Sequence, residues 1–154
     1  MLQKINENNY KKILPWRNQE LVRKNSLDSK IISEDEHDSW WKNVKEDSSK
    51  SWLIYKEENI ECGVVSFHSI NDESAYWGFY FAEDKLFSEN NISKLKAWKK
   101  IEEEAITHAK EILKLKYLFC EILETNKSVI RMHLKFGFKT YSTKNNIHLM
   151  KIKF

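Results

Sequence analysis

Glu121 stands inside an otherwise apolar run, Tyr117-Leu118-Phe119-Cys120-Glu121-Ile122-Leu123. Burial there would raise its carboxyl pKa toward the operating range of a general base, whereas a strand-end glutamate held by a lysine is the plainer reading. Further on, Asn126 and His133 are seven residues apart. On a helix that is two turns, about 10 Å along one face, so both point to the same side. Asn126 also reads as a helix cap, and Gly137-Phe138 as a helix stop and core filler. Lys94, Lys96, Lys99 and Lys100 crowd the first turns of another predicted helix, where the macrodipole favours acids. Cations there cost stability unless an anion visits, so the cluster reads either as a phosphate site or as a solvated face. Cys62 and Cys120 lie in apolar runs without CxxC or Cys/His spacing. Both read as reduced core thiols, and nothing in the chemistry requires a metal.

The elements that must hold these residues follow from periodicity. Ser33-Glu34-Asp35-Glu36 has the capping-box pattern, and Trp40, Trp41 and Val44 continue it as an apolar stripe, which predicts a helix from about Ser33 to Val44. Before it, Glu7 to Val22 predicts one or two short helices broken at Pro15, with a turn over Pro15-Trp16-Arg17-Asn18. Ser51 to Tyr55, Cys62 to Ile70 and Ser74 to Phe81 then read as three antiparallel strands, the third interrupted by Gly78, a residue that marks a bulge or a close backbone approach. Leu95, Trp98, Ile101, Ala105, Ala109 and Ile112 recur at helical steps, with Lys and Glu on the other face, and predict a long helix from Ser93 to near Leu115. A strand Tyr117 to Leu123, a helix Asn126 to Phe136 and one or two strands around Tyr141 and His148 to Phe154 complete the chain. A right-handed crossover makes the strand at Tyr76 to Phe81 a parallel neighbour of the one at Tyr117 to Leu123, hence a mixed sheet.

The 154 residues suit one domain, 1–154. A formal charge of +3 is far from the balance of a protein that neutralises many phosphates, so nucleic acid is not expected as a partner. The N-terminus is too polar for a signal peptide and no apolar run is long enough to span a membrane, so the expectation is a cytoplasmic protein with no membrane partner. Three glycines and one proline exclude collagen-like, linker-rich and glycine-loop architectures. Trp16, Trp40, Trp41, Trp52, Trp77 and Trp98 imply a bulky core or a cleft with flat stacking walls.

The segment Asn126-Lys127-Ser128-Val129-Ile130-Arg131-Met132-His133-Leu134-Lys135-Phe136-Gly137-Phe138 resembles the second conserved segment of the GNAT superfamily. Trp16-Arg17-Asn18, Glu36-His37, Trp40-Trp41, Gly63-Val64-Val65, Tyr76-Trp77-Gly78-Phe79-Tyr80 and Cys120-Glu121-Ile122-Leu123 together are similar to the pseudaminic-acid pathway acetyltransferases. Those enzymes acetylate the 4-amino group of UDP-4-amino-4,6-dideoxy-N-acetyl-beta-L-altrosamine. The resemblance covers about Trp16 to Lys139 and implies an α/β GNAT fold with a mixed, mostly antiparallel sheet flanked by helices and splayed near Gly78.

It also implies acetyl-CoA as cosubstrate, beside Phe79, Tyr80, Phe81 and Asn126, and the charge reading adds Lys94, Lys96 and Lys99 for its phosphates. Arg17, His37, Trp77 and Tyr80 become contacts for a UDP-amino sugar, Glu121 the base, and His133 the donor that replaces the superfamily's tyrosine. Backbone N–H groups near Phe79 to Phe81 would stabilise the oxyanion. The family's glycine-rich phosphate loop is missing, since Ser93-Lys94-Leu95-Lys96-Ala97-Trp98-Lys99-Lys100 has no glycine, and Cβ atoms crowd a close approach of backbone to phosphate. Two rivals stand beside this reading. One is a GNAT enzyme for a protein N-terminus, a polyamine or another small amine; the other is a GNAT-like binding module without catalysis. The sequence leaves the oligomer open, with a homodimer as one assembly.

Overall fold

The computed structural model describes residues 1–154. A seven-stranded sheet runs in the order β1-β2-β3-β4-β5-β7-β6. The strands are β1 Leu2–Lys4, β2 Ser51–Glu57, β3 Ile60–His68, β4 Ser74–Phe81, β5 Tyr117–Leu123, β6 Lys139–Lys144 and β7 Ile147–Lys153. All neighbours are antiparallel except β4 and β5. The helices are α1 Ile13–Asn18, α2 Glu20–Lys24, α3 Glu34–Val44, α4 Asp84–Glu89, α5 Lys94–Thr107 and α6 Lys127–Lys135. This is the mixed, helix-flanked α/β sheet that the order of elements predicts. No helix is long and apolar enough to cross a membrane.

Local chemistry explains most boundaries. At α3 the capping box is complete: Ser33 Oγ accepts from the Glu36 N–H at 3.2 Å, and the Glu36 carboxylate accepts from the Ser33 N–H at 2.8 Å. Such a cap stabilises by about 1 kcal/mol. Glu58 and Asn59, and again Asn145 and Asn146, take positive φ and close the β2–β3 and β6–β7 hairpins. Gly137, at φ +96°, ends α6.

Four expectations are corrected. Pro15 falls in the first turn of α1, where its missing N–H is not needed, so the turn over Pro15-Trp16-Arg17-Asn18 does not form and the chain breaks at Gln19 instead. The first third also contributes β1, whose three residues gain order only by pairing with β2. Gly78 stays in register with Ser66 of β3, and the register shifts lie at Tyr55/Lys56 and Thr140/Ser142. Asn126 occupies the N-cap position of α6, but its ψ of 60° is not the extended geometry that aims a capping side chain, and no cap bond forms.

Twenty-seven buried apolar residues form one core cluster, in which Cys62 and Cys120 are free thiols. The feature that matters most for function is where the sheet opens. β4 pairs with β5 only from Ser74↔Tyr117 to Tyr76↔Phe119, after which the two strands diverge although both continue.

Candidate active site

From Trp77 onward β4 has no strand on its β5 side. The Ala82 N–H donates to the Cys62 carbonyl at 2.9 Å, toward β3, and strand alternation turns the N–H groups of Phe79 and Phe81 the other way, into the gap. Gln19, at the break between α1 and α2, donates to the carbonyls of both Trp16 and Phe81 at 2.9 Å and ties the N-terminal helices to the end of β4.

On the face of the sheet covered by α1 and α3 lies a cavity of about 630 Å³ whose lining includes Arg17, Lys30, His37, Trp40, Trp52 and Tyr80. Three residues expected to contact substrate thus share one cavity. Arg17 Nη2 donates to the Asp28 carbonyl at 2.8 Å, while its Nη1 is buried without a partner. Tyr80 comes from β4; burial pushes its hydroxyl up, and the Arg17 charge partly offsets this. His37 is only 5% exposed, stacked between Tyr10 and Trp40, and its Nε2 lies 2.7 Å from the Tyr10 carbonyl. The carbonyl can only accept, so Nε2 carries a proton and only Nδ1 remains for a ligand. Two carboxylates, Asp35 and Glu36, also line the cavity, but Glu36 is held by Ser33 and by Lys30 at 3.3 Å.

Trp77 does not belong to this cavity. Side chains alternate along a strand, so Trp77 and Phe79 face away from Tyr80, toward α5 and α6. Trp77 is 3% exposed and packs against Phe79, Phe138 and His133.

A family model described as Acetyltransferase (GNAT) domain matches residues 1–139. The chain belongs to the GNAT acetyltransferase family. It is 25% identical over 150 residues to the acetyltransferase PseH of Campylobacter jejuni, covering 97% of this chain and 88% of that one. The crystal structure of C. jejuni N-acetyltransferase PseH in complex with acetyl coenzyme A superposes with a TM-score of 0.73 at 19% identity, covering 99% of each chain. Spermidine N-acetyltransferase from Vibrio cholerae, in complex with CoA and spermine, gives 0.82 at 15% identity, covering 99% of this chain and 94% of that one.

The remaining predicted residues of this GNAT chain are dispersed around the opening. Glu121 is exposed on β5, contrary to the expected burial, because the face of β5 that carries Tyr117, Phe119 and Glu121 is the less covered one. It acts on its neighbours: burial pushes the His68 imidazole down and the Glu121 charge partly opposes that. At the start of α5, Lys94 is ion-paired with Asp84 and lies 5.6 Å and 5.5 Å from the Phe81 and Phe87 ring centres. Lys100 is bound to Glu57. Lys96 and Lys99 are exposed and make no ion pair.

His133 is 1% exposed, and its Nδ1 lies 2.9 Å and 3.0 Å from the two carboxylate oxygens of Glu102, itself fully buried. Sequence reading missed Glu102 by assigning the glutamates of α5 to its polar face. The available signal was spacing: Glu102 follows Trp98 by one helical turn and precedes Ala105 on the apolar stripe, and Trp98 Nε1 donates to it at 3.1 Å.

Proposed function

We propose that this GNAT acetyltransferase transfers an acetyl group from acetyl-CoA to the amine of a nucleotide-linked amino sugar, of the kind used in pseudaminic-acid glycan synthesis. The observation that carries the reading is Arg17, which lines a roomy cavity with one guanidinium nitrogen buried and unpartnered. A buried donor without an acceptor costs about 1–3 kcal/mol, and a diphosphate oxygen would satisfy it. Trp40, Trp52 and Tyr80 give the same cavity flat walls suited to uracil and to the methyl face of a deoxysugar.

The acetyl-CoA side fits the opening between β4 and β5. The extended, amide-bearing arm of the cosubstrate is strand-like, and the Phe79 and Phe81 N–H groups supply donors along it and for the developing oxyanion. Its phosphates would meet Lys96 and Lys99 and the first turn of α5, where ammonium groups substitute for the absent glycine backbone. Asn126, at the start of α6, would close this side. In the reaction Glu121, exposed and thus reachable through a water, takes the proton from the attacking amine, and His133 supplies one to the departing sulfur.

A second reading, acetylation of a polyamine, draws on Asp35 in the cavity and on the spermidine N-acetyltransferase likeness. Arg17 weighs against it, since a guanidinium repels a polycation. Kinetics of Arg17→Ala test the choice: the Michaelis constant for the UDP-amino sugar rises about tenfold or more while that for acetyl-CoA stays within twofold. An equal rise in both would remove Arg17 from acceptor recognition.

A further inference from the structure

We propose that Glu102 is a positioning residue which holds His133 with Nδ1–H on its carboxylate and Nε2 as the atom that gives a proton to the departing coenzyme A sulfur. The proposal rests on the acetyl-transfer reading above. Its own ground is a buried pair that no packing need explains. Glu102 and His133 come from different helices, α5 and α6, and are among the least exposed polar residues of the chain. Both carboxylate oxygens lie within hydrogen-bond distance of Nδ1, and Trp98 Nε1 donates a further bond to one of them. An apolar pair of similar volume would fill the space without the desolvation cost, so a retained buried pair is better suited to a task than to stability.

The place of the pair supports the task. The His133 ring centre is 5.1 Å from that of Trp77 and 6.3 Å from that of Phe79, and these are residues of β4 past the point where it leaves β5. Its Nε2 makes no hydrogen bond in the protein, whereas Nδ1 is fully committed. The groups around the imidazole leave Glu102 as the one charge that governs it. β4 offers only rings, α5 offers Glu102 and Trp98, and the segment after α6 offers Phe138. On β5, Cys120 lies near Glu102, and burial together with the Glu102 charge pushes its thiol up, so it remains neutral.

The proton count closes. The amine nitrogen forms a bond to the acetyl carbon, the carbon–sulfur bond breaks, and the sulfur takes the Nε2 proton. His133 is left neutral with Nδ1–H still on Glu102, and the proton lost by the amine leaves to solvent through Glu121, from which solvent recharges His133.

Imidazole ¹⁵N spectra of the wild type and Glu102→Gln, with His133→Gln used to assign the resonance, read the pairing directly. The expected result is a wild-type imidazole whose Nδ1 carries the proton that faces Glu102, and a mixture of Nδ1–H and Nε2–H forms in Glu102→Gln, whose amide can donate to Nδ1 as well as accept from it. Turnover falls by about tenfold or more in Glu102→Gln, the Michaelis constant for acetyl-CoA stays within twofold, and Glu102→Asp restores part of the turnover. In the double variant, Glu102→Gln adds nothing to His133→Gln. An unchanged tautomer in Glu102→Gln overturns the positioning, as does a changed tautomer with unchanged turnover. Additive losses in the double variant do the same should Glu102→Gln alone be poorly folded. Failure of the wild type to acetylate any amine overturns the functional reading separately, because the spectra report on the pair whether or not turnover occurs.

Discussion

Tyr80 and Trp77, three residues apart on β4, lie on opposite faces of the sheet: Tyr80 lines the cavity shared with Arg17, and Trp77 is buried with its ring 5.1 Å from that of His133. Their substitutions should therefore fail in different assays. Tyr80→Phe raises the acceptor Michaelis constant about three- to tenfold with an unchanged denaturation midpoint. Trp77→Ala loses about 3–5 kcal/mol of stability in chemical denaturation. A Trp77 variant of normal stability with a selective acceptor defect would return Trp77 to the acceptor site.

Lys96 and Lys99 are the unpaired cations at the start of α5, so Lys96→Ala with Lys99→Ala weakens acetyl-CoA binding in isothermal titration. The loss diminishes as salt is added, because exposed charges are screened. Lys94→Ala, which removes a side chain already engaged by Asp84, has the smaller effect. Equal affinities for all variants would move the phosphates elsewhere.

Glu121→Gln keeps shape and removes the proton acceptor. Turnover falls by on the order of a hundredfold while acetyl-CoA still binds, and the acidic limb of the pH–rate profile changes with it. Since Glu121 is exposed, its thermal midpoint stays near that of the wild type. Normal turnover would hand the proton to solvent or to His68.

Glu57 gives a pH dependence of stability. Burial pushes its carboxyl up, but the hydrogen bonds from Lys100 and from Tyr55 Oη, the latter at 2.5 Å, outweigh burial and hold it below the ordinary glutamate range. A depressed folded value means that its contribution is complete above the unfolded value and is lost as pH falls through the folded one. Glu57→Gln therefore melts earlier than the wild type at neutral pH, and the two midpoints converge in acid. A gap that persists in acid would assign the loss to packing.

What could be read from the chain follows from which forces are local. β4 and β5 fall where alternation and β-branched or aromatic residues place them, and α3 begins at its capping box because Ser33 and Glu36 complete one another within a single turn. β1 was invisible because its pairing partner lies some fifty residues away. Glu102 was misread because a glutamate on a charged helix looks solvated until the facing helix brings His133 to it. Glu121 was expected to be buried because alternation gives the faces of a strand without saying which one is covered.

The most direct measurement is a competition for acetyl-CoA between UDP-4-amino-4,6-dideoxy-N-acetyl-beta-L-altrosamine and spermidine, followed by coenzyme A thiol release and by the mass of each product. The expected kcat/KM for the nucleotide sugar is at least about a hundredfold above that for spermidine, since a guanidinium that pairs with one acceptor repels the other. Equal or inverted values would contradict it and make the cavity a polyamine site.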